Sequence, residues 1–201
     1  MPPKYLKIAR KNPHTNSSRC SECKNTIHAM VREVCGVIKI EHKLLIPARL
    51  SDFSSIDCYS MLKKVYDALV SFRGFKDYVK AQSLSNCDIY VSSKDYIIEL
   101  DENQHFSEAR MVSLQNYPSS ISLGFDKLRW IKECSRVNAK DPTPPYRDEQ
   151  RAWYDTIRDF LPLIDGSFKP TVRIMLSATQ WCALDPGNPK DVNTFRRTVG
   201  L

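Results

Sequence analysis

Apolar positions recur every three and four residues in three stretches of this chain, and alternate or run together in several shorter ones. In residues 21–35, Ile27, Met30, Val31 and Val34 share one face of a helix, and Gly36 stops it. Residues 37–40 and 44–46 read as short strands around the polar turn Glu41-His42-Lys43. A second helix is predicted over 57–72, with Met61, Leu62, Val65, Leu69 and Phe72 as its stripe and Gly74 just past its end. CDIYV (87–91) and YIIEL (96–100), joined by polar SSKD, predict a β-hairpin. Residues 107–147 carry Pro118, Pro142, Pro144 and Pro145 and read as irregular, with one helix near 124–135. A third clear helix starts at Asp148, with Trp153, Ile157, Phe160 and Leu161 as its stripe and Pro162 as its stop. TVRIMLS (171–177) predicts a last strand, and the tail after Trp181 reads as polar and irregular.

Helix, strands, helix, hairpin, irregular region, helix, strand is the order of an α/β (α+β) fold, a small mixed sheet flanked by helices. The 201 residues suffice for one domain. That domain is expected over 19–201, with a core at about 57–177, an insert at about 107–147 and a basic arm over 1–18. No apolar run approaches the ~20 residues that span a bilayer, and the N-terminus has basic residues but no apolar h-region. A cytoplasmic, nucleoid or nuclear location is expected, with no membrane partner.

Charge and cysteine content narrow the picture. The net charge of +7 fits a polyanionic partner such as nucleic acid, or solubility alone. Lys4, Lys7, Arg10, Lys11, Arg19 and Lys24 all precede the first apolar core position, Ile27. Seven cysteines, an odd number, argue against a disulfide framework. Cys20 and Cys23 have the spacing of half a structural zinc (Zn2+) site, with His28, Cys35 and His14 as candidate completions. The alternative is that these groups simply face a core.

The densest chemistry lies in DYIIELDENQHF, residues 95–106. Alternate strand residues share a face, so Glu99 and Asp101 point one way while Ile98 and Leu100 point the other. Two carboxylates so close repel, and burial raises the cost. A divalent cation relieves both; Mg2+, or Mn2+ in its place, takes oxygen ligands of this kind. Hairpin pairing brings Asp88 towards Glu99 and Asp101, giving three candidate metal ligands. His105 titrates near neutrality and suits proton transfer, and Gln104 suits orientation of a water or a phosphate oxygen. The plain alternative is a solvated sheet face.

The motif I-E-L-D-x-x-Q-H-F after a strand bearing Asp88 resembles the PD-(D/E)XK nuclease superfamily. It is most similar to the branch of the very-short-patch mismatch-repair endonuclease, where the pattern reads I-E-x-D-G-x-x-H. Asp88 falls at the first metal-binding acid, Glu99 and Asp101 at the E-x-D pair, and His105 at the histidine. The relatives' D-x-x-R element opening a helix matches Asp148 and Arg151, and their next strand matches 171–177. Asp101 stands at the superfamily's usual lysine, Glu102 replaces a glycine, and 107–147 exceeds the usual connection. The resemblance implies a restriction-endonuclease-like fold and a Mg2+-dependent endonuclease acting on DNA, in restriction, defence or repair. A homodimer would account for two cuts in a duplex.

Asp148, Arg151 and Asp155 lie at i, i+3 and i+7, on one helix face. Arg151 there suits a phosphate clamp or, equally, an ion pair with Asp155. A non-enzymatic nucleic-acid-binding module is the alternative function. A small-phosphate enzyme is disfavoured, since no glycine-rich phosphate loop is present. The long segment 107–147, with SLQNYPSSISLGF inside it, is the expected place for specificity.

Overall fold

A computed structural model describes residues 20–201; the arm expected over 1–18, with His14, lies outside the described residues. Among the described residues the fold is mixed α/β, a four-stranded mixed sheet with seven α-helices. The strands are β1 (Lys39–His42), β2 (Cys87–Val91), β3 (Tyr96–Asp101) and β4 (Val172–Met175), in that order across the sheet. β1, β2 and β3 pair antiparallel, whereas β3 and β4 are parallel. A parallel neighbour needs a long crossover. That crossover comprises α3 (Glu108–Gln115), α4 (Lys127–Val137), α5 (Arg147–Asp159) and α6 (Leu161–Ile164). Preceding it are α1 (Ser21–Cys35) and α2 (Tyr59–Arg73), and α7 (Pro189–Val199) closes the chain.

Period-two alternation divides the sheet into two faces. Ile89, Val91, Ile98, Leu100 and Ile174 pack against Ile27, Met30 and Val31 of α1 and Phe195 and Val199 of α7. The opposite face is polar along β3 and β4: Glu99 and Asp101 look towards α5 beside Arg173. Behind α5, its residues Trp153 and Ile157 join α2, α3 and α4 in a second apolar cluster. Helices therefore cover both faces, and the polar seam between β3, β4 and α5 is buried within the molecule.

Several expectations need correction. Only Lys39–His42 forms a strand in the first β region, since Glu41 adopts φ +51 and Val37 and Leu45 lie exposed rather than against a core. The segment 107–147 is not an irregular insert. It holds α3 and α4, whose Leu114, Trp130 and Cys134 belong to the core. Pro162 does not end α5; that helix stops at Asp159, and Pro162 occupies the first turn of α6, where its missing N–H costs nothing. The tail is not irregular either. α7 starts at an Asn188 N-cap followed by Pro189, and ends at Gly200 with φ +76.

Gly124 marks where the chain entering α4 crosses β4, bridging Val172 in parallel. A Cβ there would stand 2.5 Å from the Thr171 carbonyl oxygen and 2.9 Å from its carbon, both backbone atoms. Gly124→Ala is therefore expected to destabilise the fold by about 1–3 kcal/mol in urea unfolding. An unchanged midpoint would mean that the two segments do not approach this closely.

A candidate active site between the central strands and α5

Asp88 reaches the site through strand register. Ile89 pairs with Ile98, so one step further along sets Asp88 across from Glu99. The Leu100 N–H donates to Asp88 Oδ2 at 2.7 Å, which fixes the side chain against β3. Burial pushes the Asp88 carboxyl above its ordinary range, and this bond only partly offsets the effect.

Glu99 is 5% exposed. Arg158 Nε of α5 stands 3.1 Å from its Oε1, but outside hydrogen-bonding geometry, so that buried oxygen has no donor. Burial pushes Glu99 up to about 7, with Arg158 opposing and Asp88 reinforcing the rise. A buried carboxylate with an unmet acceptor is costly, and such costs concentrate at functional sites.

Asp101 shares the Glu99 face but has a different setting. Its Oδ1 accepts from Arg173 at 2.7 Å and its Oδ2 from the Trp130 indole at 2.6 Å. Arg173, from β4, also donates to Asp159 at 2.7 Å and to Asp155 at 3.3 Å. One guanidinium thus meets three buried carboxylates. The positive charge that the sequence demanded beside Asp101 is present as a side chain.

His105 follows β3 in a single 3-10 turn. Its Nδ1 lies 3.0 Å from Asp155 Oδ2 and 3.7 Å from Asp101 Oδ1. Burial disfavours charge on the ring, yet Asp155 outweighs it and the imidazole is raised above its ordinary range. Burial likewise disfavours the Asp155 carboxylate, but Arg173 and His105 hold it well below the usual range. With Nδ1 engaged by a carboxylate, the ring orientation is fixed and Nε2 is left for proton transfer.

Several of these groups line a cavity of about 390 Å3, but Asp101 and Arg173 are not on its wall. Asp88, Glu99, His105 and Asp155 lie on its wall, together with Lys24, Arg147, Arg151 and Arg158. Gln104 also lines it; its side-chain amide donates to Glu102 at 3.4 Å, and its backbone oxygen accepts from Arg151 at 3.1 Å. Arg151 bonds Asp141 at 3.0 Å and lies 3.8 Å from Asp148, rather than pairing with Asp155. Arg147 donates to the Gln150 amide and forms no ion pair among the described residues, so most of its guanidinium is available to an anion.

Two oxygen-rich groupings suit a cation. Asp88 and Glu99 fit a hard ion by chemistry: both are carboxylates in one cavity, with an unsatisfied oxygen on Glu99. Asp101, His105 and Asp155 hold ligand atoms within 4.8 Å of one another, but Arg173 already engages both acids. Of the expected zinc ligands, Cys20 and Cys23 come together, and Cys182 joins them. Cys35 does not: α1 carries it to the far end of the helix from Cys20, ~22 Å of rise away. Its Sγ instead lies 2.9 Å from the Tyr96 hydroxyl. His28 has Arg32, Asp88, Lys24 and Glu41 as its charged neighbours and is not in the thiol group.

Arg158 and Arg173 were missed in the sequence although each carried a signal. Asp155, Arg158 and Asp159 recur at i, i+3 and i+4 on the same side of α5 as the seam, and Arg173 interrupts an otherwise apolar strand. No protein-family model, curated protein or solved structure matches the chain.

Proposed function

We propose that this chain is a metal-dependent endonuclease of the restriction-endonuclease-like class, hydrolysing phosphodiester bonds in DNA. The observation that carries the reading is one cavity in which Asp88 and Glu99, from adjacent antiparallel strands, lie beside a His105–Asp155 pair and a set of cationic side chains. Asp88 and Glu99 would hold a divalent cation, Mg2+ or Mn2+. When bound, it would supply charge neutralisation at the phosphate and acidification of a water.

The chain's own residues account for the rest. Arg147 and Arg151, with Lys24, would bind and orient the phosphate backbone; a guanidinium matches two phosphate oxygens at once. In hydrolysis a water oxygen bonds to phosphorus, the bond to the leaving oxygen breaks, and that oxygen gains a proton. Neutral His105 can take the water's proton at Nε2, and protonated His105 can give one to the leaving oxygen. Asp155 holds the ring in place for either role and, by favouring the charged form, displaces the base role to higher pH. Arg173 is a positioning residue, fixing Asp155 from behind.

A second reading, a nucleic-acid-binding module without catalysis, draws on one observation. Arg158 stands 3.1 Å from Glu99 and Arg173 bonds Asp101, so protein cations already meet part of the charge that an ion would. Incubation of plasmid and linear DNA with Mg2+ or Mn2+ separates the readings. The proposal expects nicking or linearisation that stops in chelator and falls by on the order of 10²–10³ in Asp88→Asn. Salt-sensitive DNA binding with no cleavage under either metal would support the module and sink the enzyme.

A further inference from the structure

We infer that Cys20, Cys23 and Cys182 form a zinc site, tying the start of α1 to the turn that follows β4. It is separate from the acidic cavity and independent of any nuclease activity.

The three sulfurs lie within 4.8 Å of one another. Ligands of a tetrahedral zinc with Zn–S bonds of about 2.3 Å sit ~3.8 Å apart, so the cluster needs little adjustment to close on an ion. Cys20 is the N-cap of α1, and its Sγ accepts the Cys23 N–H at 3.2 Å. That bond holds the Cys20 sulfur over the first turn of α1, beside the Cys23 thiol. Two ligands three residues apart, the first accepting an amide from the second, provide a preformed half-site.

The third ligand arrives from far along the chain, on a rigid support. Cys182 sits in the 3-10 turn Trp181–Ala183. The adjacent Trp181 is buried, stacks edge-on against Phe195 of α7, and donates its indole N–H towards the Leu176 carbonyl at 3.1 Å. The turn is therefore held in place by packing that owes nothing to the thiols. Supported ligands on fixed elements are what a metal site requires.

A cluster of three thiols favours a metal over the competing use. A disulfide employs two sulfurs and leaves the third stranded, whereas a metal employs all three. Thiolates select zinc and other soft ions over Mg2+ or Ca2+. No fourth Cys, His, Asp or Glu joins the group among the described residues. The fourth position thus takes a water or a ligand from outside those residues.

Metal analysis of the full-length chain, purified without added metal and desalted, tests the site. One zinc per chain is expected, falling to background in Cys182→Ser and Cys23→Ser and unchanged in Cys35→Ala. Cobalt-exchanged wild-type protein should show thiolate-to-Co(II) charge-transfer absorption in the near ultraviolet and tetrahedral d–d bands in the visible. This second measurement needs no variant to fold. Zinc-free wild-type protein that takes up no Co(II) chromophore would overturn the proposal. So would zinc retained unchanged in Cys182→Ser, or native protein carrying a disulfide among these three residues.

Discussion

Arg173→Met is expected to leave the chain barely folded at neutral pH. Arg173 is 2% exposed and its guanidinium reaches Asp101, Asp155 and Asp159. Methionine fills a similar volume but leaves three buried carboxylates without a cation. Removing one partner of a buried ionic cluster costs roughly 3–5 kcal/mol, much of a domain's whole stability. Arg173→Lys should also be destabilised, because a point charge cannot serve three acids that a planar fork reaches along separate N–H directions. Acid should narrow the gap. Asp155 is held well below the usual carboxylate range in the wild type. The stability it contributes is present above that range and is lost as pH falls through the depressed value. In Arg173→Met the acids protonate instead, so the two urea midpoints should converge towards about pH 4 and separate at pH 7. A variant as stable as wild type at pH 7 would mean that the seam is not ionic.

The same cluster shows where sequence reasoning stopped. Local pattern was enough to derive the hairpin, because period-two alternation and a short polar turn specify both the strands and their partner. Asp88 and Glu99 could thus be brought together from the chain alone. Arg173 is 72 residues from Asp101, and its role depends on β4 docking parallel beside β3. No local rule states which strand neighbours which across a crossover. Without that pairing, a cation was required beside Asp101 but its source could not be assigned, and a metal ion was the natural choice.

Helix α3 was lost for a related reason. Arg110 and Ser113 are buried there, and Arg110 bonds Asp159 and Tyr117, so the inward face does not look apolar. Helix α7 was missed as well, although its sequence signals are present. Asn188-Pro189 at its start, Val192, Phe195 and Val199 at helical spacing, and Gly200 at its end form a complete signature. The spacing of Cys20 and Cys23 rightly placed those two thiols together. A helix carries Cys35 out of their reach, and Cys182 joins them only once the turn after β4 packs on α1.

Glu99→Gln should lose activity and gain stability at once, a combination that a structural glutamate would not produce. The side chain is buried, its Oε1 has no donor, and burial lifts the carboxyl from the ordinary range near 4.5 to about 7. A raised acid contributes stability that is full below its unfolded value and is lost as pH rises through the folded one. Glutamine mimics the protonated form and removes that loss, while Arg158 keeps its bonds to the Ser85 and Asn86 carbonyls. In chelator, the variant should match wild type near pH 4. Above pH 7 it should exceed wild type by up to roughly 3 kcal/mol, because each tenfold change in proton affinity is worth about 1.4 kcal/mol. With Mg2+, cleavage should fall by on the order of 10²–10³, since the amide cannot supply the charge that the reacting phosphate and its cation require. Urea unfolding across pH and single-turnover cleavage, run on the same preparation, read both effects. A Glu99→Gln protein that is weaker at every pH yet cleaves normally would make Glu99 a scaffold residue and remove it from the site.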